Sequence, residues 1–214
     1  MIVSFSGIDS AGKTTQIELL CKYCAGKKIK YKKVWSKARG TPGVLLLKEL
    51  VRRDKKMNVE EKAEYRAEVF KNSKKRNLLY TACMLDLCWY WGIYYRFLNL
   101  TNKLVICDRY LWDTYVEMKE KDFREIDIDN SLLWRIVKRL APVPERSFVF
   151  IIPPEESLRR DRNKNAAGIE DISIKRQKIA CYLKCLENNC WTNVMDGLRN
   201  IDELHEEVLR IIGI

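Results

Sequence analysis

Glycine and proline are scarce here, at 9 and 5 of 214 residues, and there is a single histidine. The first shortage excludes collagen-like and low-complexity architectures and leaves no room for long disordered linkers. His205 falls on a polar helical pattern among Glu203, Glu206 and Glu207, which reads as a surface position rather than a catalytic one. The opening residues MIVSFSGIDS show no basic n-region, no long apolar run and no cleavage site. The eight cysteines are therefore expected as reduced thiols of a cytoplasmic protein, not as a disulfide framework. Cys21 and Cys24 have the spacing of half a zinc site, and Cys181, Cys185 and Cys190 could extend it. Both groups nevertheless lie in helical patterns, where cysteine packs as a small hydrophobe.

What is present is enough for a core. With 47% hydrophobic and 32% charged residues, the chain reads as one globular domain over residues 1–214, without internal repeats. Lys and Arg number 40 against 29 acidic residues, and the resulting +11 favours polyanionic or phosphate-bearing partners. Residues 52–77 concentrate ten basic side chains against five acidic ones and read as a charged helical insertion with a solvated face. Residues 78–100 match a membrane span in length, but they contain Asp86 and Arg96, and a strand-like run follows almost at once. A buried helix is the expected reading, with no membrane partner.

Along the chain, apolar runs at Ile2–Ser6, Tyr31–Trp35, Leu104–Cys107, Phe148–Ile152 and Thr192–Met195 alternate with helical patterns over Thr14–Cys24, Val44–Val51, 59–76 and 78–100. Such alternation predicts an α/β fold with a parallel sheet. Ligands then sit beyond the carboxyl ends of the strands, where the loops after Ser6, Trp35 and Cys107 converge.

The most specific signal lies in the first of those loops. Gly7-Ile-Asp-Ser-Ala-Gly12-Lys13-Thr14 fits G-x-x-x-x-G-K-[ST] between a strand and a helix. Glycines let the backbone curl so that its N–H groups face phosphate oxygens, Lys13 can reach the β- and γ-phosphates, and the Thr14 hydroxyl can ligate Mg²⁺. The loop, with Ser10, Ala11 and Thr15 beside these residues, is the expected ATP cradle. No NKxD-like guanine-reading motif accompanies it. Asp108-Arg109-Tyr110 follows the Leu104–Cys107 run, placing a carboxylate that can organise Mg²⁺ and a permanently charged guanidinium beside the cradle.

GIDSAGKTTQ, the ARGTP turn, CDRY and an arginine-rich stretch after PPEESL, in that order, resemble the thymidylate kinase family over nearly the whole chain. The resemblance implies a three-layer P-loop NTPase fold with a five-stranded parallel sheet and a mobile lid, here about residues 159–172. It also implies phosphoryl transfer from MgATP to a nucleoside monophosphate, dTMP first among them. Carried over by position, Asp9 meets the acceptor sugar, while Arg39 and Arg109 hold the acceptor phosphate. Because Ser10 and Ala11 supply no arginine, the lid is expected to provide the cations, from Arg159, Arg160, Arg162 and Lys164.

Two positions depart from the family pattern. Tyr80 matches the ring that stacks on the acceptor base, but Met84 stands where an arginine reads thymine. Asp113 replaces a small hydroxyl residue, and a carboxylate there would repel phosphate and welcome an amine or sugar hydroxyl. A different nucleoside, nucleotide or non-nucleotide acceptor is thus a second reading. A third is an ATPase associated with nucleic acid, for which no recognition motif is found. The aromatic-rich helix 78–100 offers surface for a homodimer contact.

Overall fold

The computed structural model describes residues 1–35, 71–164 and 169–214. Five strands, β1 (Ile2–Gly7), β2 (Tyr31–Trp35), β3 (Leu104–Asp108), β4 (Arg146–Ile151) and β5 (Asn193–Asp196), form one parallel sheet in the order β2-β3-β1-β4-β5. The helices are α1 (Lys13–Gly26), α2 (Ser73–Trp89), α3 (Tyr95–Thr101), α4 (Leu111–Glu117), α5 (Leu132–Leu140), α6 (Pro154–Asn163), α7 (Ile172–Glu187) and α8 (Ile201–Ile212).

Burial follows position in the sheet. Every residue of central β1 is buried, Ser4 and Ser6 included, as is the wholly apolar Leu104–Cys107 of β3; the edge strands β2 and β5 bury one residue each, Val34 and Met195. Phe5 stacks on Phe148 at 5.2 Å and on Phe150 at 6.1 Å, locking β1 to β4. The crossover from β1 passes β3 to reach β2, and the one from β3 passes β1 to reach β4, so the direction of winding reverses where β1 and β3 lie side by side. The loops after β1 and β3 therefore open side by side, with Phe5 in register with Asp108.

The apolar stretch after residue 77 is not a separate helix. Asn72 caps α2 by accepting from the Lys75 N–H at 3.1 Å, so the helix begins at Ser73 and absorbs the end of the charged segment. The remainder of that segment, 52–70, and the pattern at Val44–Val51 lie outside the described residues. α2 passes through a π-helical turn, Tyr90–Tyr94, into α3. Its inner face carries Met84, Leu87, Trp91, Tyr95 and Leu98, with Trp91 and Tyr95 both packed on Tyr110 of the loop after β3. Its outer face carries Leu85, Trp89, Ile93, Phe97 and Leu100, each more than half exposed. Among the described residues, no helix is long and apolar enough to cross a membrane.

Candidate active site

The loop between β1 and α1 is shaped by two glycines. Gly7 has φ +132, and a Cβ there would lie 2.4 Å from the Phe150 carbonyl oxygen, so only glycine lets β1 end this close to β4. Gly12 caps α1 at φ +99, and the first-turn N–H groups of Lys13, Thr14 and Thr15 have no acceptors within the helix. They give the loop its positive end, suited to phosphate. Lys13 starts the buried stripe of α1 with Gln16, Ile17, Leu20 and Cys24. Its Nζ folds over the loop and donates to the Ile8 carbonyl at 2.5 Å. Burial, and then the nearby Arg109 guanidinium, lower its pKa to about 7 against partial compensation from Asp9, Asp113 and Asp108.

Arg109 enters from the loop after β3 with φ +70, its N–H bonded to the Phe5 carbonyl at 3.0 Å. The guanidinium donates to the Gly7 carbonyl at 3.0 Å, to the Asp9 carboxylate, and to Asp113 at 3.5 Å. Burial alone would lower its pKa, but Asp9, Tyr182, Asp113 and Glu117 outweigh that and raise it, so Arg109 stays fully charged. Asp9 and Arg109 are thus brought together at the phosphate loop, near enough to Lys13 for the charges of both to act on it.

Asp113 departs from its expected place facing an acceptor. It is 3% exposed, and its carboxylate accepts from Ser6 Oγ at 2.5 Å, Gly7 N at 3.1 Å, Tyr110 N at 3.1 Å and Tyr182 Oη at 2.6 Å, besides Arg109. Its lone pairs are committed inward, and it ties α4 and α7 to the end of β1. Tyr80 is likewise no open stacking platform: it is 5% exposed, its ring meets Phe123 edge-on at 5.3 Å, and its hydroxyl donates to Ser131 Oγ at 2.7 Å. Met84 is fully buried in the core beside it on α2. The Thr114 hydroxyl, next to Asp113, is buried without a hydrogen-bond partner among the described residues.

Of the expected lid cations, Arg159, Arg160 and Arg162 stand on the last turns of α6, not on a loop, because Pro154 starts a helix that runs to Asn163; Lys164 is the residue that ends it. Arg160 reaches the Ser10 carbonyl at 3.3 Å and the Gly197 carbonyl at 3.1 Å, bridging the phosphate loop to the turn after β5. A Cβ at Gly197 would lie 2.6 Å from the Ala11 oxygen, so that turn presses against the loop. Arg159 pairs with Glu156 at 2.7 Å on the surface, while Arg162 and Lys164 are exposed beside 165–168, which lie outside the described residues. Arg39 and the rest of the ARGTP turn are also outside them.

Thr14 is exposed at the start of α1 and Asp108 is half-buried at the end of β3, and neither side chain is bonded to another described residue. Two hard oxygen donors beside a phosphate site fit Mg²⁺, which takes few protein ligands and completes its shell with water and phosphate. No cluster of three or more His, Cys, Asp or Glu residues able to hold a metal occurs among the described residues, and all eight cysteines are free thiols.

Sheet order, glycine-shaped loop, buried lysine and facing arginine define a P-loop phosphotransferase. The family model for thymidylate kinase matches residues 5–208. The chain is 27% identical over 219 residues to the thymidylate kinase of Fervidobacterium nodosum, covering all of this chain and 98% of that one. It is 26% identical over 216 residues to a probable thymidylate kinase of Pyrococcus horikoshii, covering 98% and 94%. The crystal structure of thymidylate kinase from Ehrlichia chaffeensis superposes with a TM-score of 0.57 at 17% identity, over 100% of this chain and 98% of that one, and shares the fold. The chain belongs to the thymidylate kinase family, phosphotransferases that use ATP as donor.

Proposed function

We propose that the protein transfers the terminal phosphoryl group of MgATP to the phosphate of dTMP. The observation that carries this reading is Arg109, held by Asp9 and the Gly7 carbonyl on the same phosphate loop whose Ile8 carbonyl holds Lys13. A cation on each side of the transferring group is what such a reaction requires, because its catalysis is mainly alignment and neutralisation of developing charge. No side chain need act as a strong base, since an acceptor phosphate oxygen is already nucleophilic. Lys13 turns from Ile8 to the donor phosphates, Arg109 with Arg39 steadies the acceptor phosphate, and Arg159 and Arg162 approach from α6. Thr14 and Asp108 are the residues that would hold Mg²⁺, which supplies charge neutralisation on the donor phosphates.

Full-length relatives named as thymidylate kinases support dTMP. A second acceptor is favoured by one feature: Met84 and the enclosed Tyr80 offer no charged donor to a base where the family pattern has an arginine. An acceptor panel of dTMP, other nucleoside monophosphates and free thymidine, read by ATP consumption, tests both. Highest kcat/KM for dTMP is expected. Another monophosphate in first place moves the reading to that base, and a preferred acceptor without phosphate removes the role given to Arg39 and Arg109.

The outer face of α2 and α3, with Leu85, Trp89, Ile93, Phe97 and Leu100, is the surface on which we place a homodimer contact. Free thiols, and the lack of a membrane-crossing helix among the described residues, support work in a reducing cytoplasm on a small-molecule acceptor.

A further inference from the structure

Behind the phosphate loop lies a polar chain that neither the family motifs nor the phosphoryl chemistry calls for. Ser157, Asp161 and Lys175 are 0%, 5% and 1% exposed. Ser157 and Asp161 share a face of α6 at i,i+4, and Lys175 sits in the first turns of α7, so the three meet in the seam between the two helices that flank 165–168. Lys175 Nζ donates to Asp161 Oδ2 at 2.6 Å and to Ser157 Oγ at 2.8 Å. From there the chain divides. Asp161 Oδ1 accepts from Ser10 Oγ at 2.6 Å, and Ser157 Oγ donates to the Asp9 carbonyl at 2.7 Å.

Both branches end in the loop that faces the phosphates. Ser10 holds φ +57, a conformation costly for a side chain other than glycine, and it stays there because its hydroxyl is fixed by Asp161 and its carbonyl by Arg160. Asp9, its neighbour, carries the carboxylate that holds Arg109. An apolar seam would join α6 to α7 as well, without the desolvation of a buried ion pair, so adhesion of the helices does not by itself account for the pair. What an apolar seam cannot do is hold a hydroxyl and a carbonyl of the phosphate loop in fixed directions.

We propose that Lys175 is a positioning residue for the donor site: through Asp161 and Ser157 it sets the backbone of Asp9 and Ser10, and so couples the placement of α6 and α7 to the loop's readiness for MgATP. It touches no reacting atom. The proposal rests on the reading of Gly7–Thr14 as the ATP cradle.

The test compares Lys175→Met, the double variant Lys175→Met/Asp161→Leu, and Ser157→Ala, each read by thermal unfolding, by titration with a non-hydrolysable ATP analogue and by steady-state kinetics. Lys175→Met is expected to weaken analogue binding and raise the KM for ATP on the order of tenfold, within the reach of a small displacement far from the chemistry. The KM for the acceptor rises by less than that for ATP, because the branch to Asp9 reaches the acceptor side only through the Asp9 carboxylate on Arg109. The double variant removes both charges and is expected to recover the melting temperature but not the ATP affinity. Ser157→Ala keeps the ion pair but removes the branch to Asp9 together with one hydrogen bond from Lys175, giving a smaller rise of about threefold in a folded protein should Lys175→Met fail to fold. Recovery of stability and ATP affinity together in the double variant, or unchanged ATP affinity in both single variants, overturns the positioning role and leaves the cradle intact. Failure of the unmodified protein to bind the analogue overturns the cradle itself, and with it this proposal.

Discussion

Around the phosphate loop, Asp113, Arg109, Ser157, Asp161 and Lys175 are buried polar groups, each bonded to two or more partners, while the helical span from Ser73 to Thr101 is packed through aliphatic and aromatic side chains. Hydrogen bonds have direction and fix atoms to within tenths of an ångström. Apolar contacts do not, and they tolerate small shifts. The contrast implies that geometry is specified tightly around the loop and loosely where helices pack and an apolar face is exposed. Substitutions on the first side should act on the reaction, and on the second on stability or assembly.

The largest expected effect is Lys13→Ala, which should lower turnover by about a thousandfold with the fold retained, because a buried cation aimed at developing charge has no substitute. A coupled ATP-consumption assay checks it, and near-normal turnover would remove Lys13 from the mechanism. Gly7→Ala follows. With a Cβ 2.4 Å from the Phe150 oxygen at φ +132, it should cost at least about 3 kcal/mol in denaturant unfolding. A loss below about 0.5 kcal/mol would show that β1 and β4 can part without penalty, which breaks the comparison on its polar side.

Proton linkage sharpens the same side. Lys13 is lowered to about 7, first by burial and then by Arg109, whereas an exposed lysine titrates near 10.4. Between those values the folded, ligand-free protein has lost a proton that the unfolded chain keeps, so stability from this group rises with pH across that window. A triphosphate restores the charge. Binding at about pH 8.5 should therefore take up nearly one proton, binding at about pH 6 none, and affinity should fall up to tenfold per unit of pH above 7. Calorimetry in buffers of different ionisation heat measures the uptake; none at the higher pH would mean that the amine is already charged.

The smallest effect on activity is expected on the apolar side. Trp89→Glu, on the exposed face of α2, should shift sedimentation toward monomer at micromolar concentration while kcat changes by less than about twofold. A monomeric unmodified protein would remove the homodimer, and a large fall in kcat would show that this face is not independent of the site.

How much of this was legible in the sequence differs by element. The five strand runs and the phosphate loop could be read directly, because hydrophobic continuity and a glycine-lysine spacing are properties of neighbouring residues. The start of α2 could not. The helical patterns at 59–76 and 78–100 read as two elements parted at residue 77, whereas the deciding feature is one hydrogen bond that Asn72 accepts from the Lys75 N–H, starting a single helix at Ser73. Arg160 could be named as a cation but not assigned to the Ser10 and Gly197 carbonyls, which lie 150 and 37 residues away. Asp113 was visible as an unusual carboxylate, and its spacing after Asp108-Arg109-Tyr110 gives no hint that Ser6, Gly7 and Tyr182 would exhaust its lone pairs. Lys175 and Asp161 carry no local signal that singles them out, since burial depends on which helix covers which.

The sequence by itself determined the alternation of strands and helices, the glycine loop, the lysine and arginine at that loop, and the family. These follow from local spacing and from backbone freedoms that only certain residues possess. Tertiary structure alone decided which carboxylates turn inward, which arginine bridges the loop to the turn after β5, and that a lysine in α7 is buried behind the phosphate loop. The cost of an unpaired buried polar group makes those pairings obligatory, but the partners meet only once the sheet and its helices have packed.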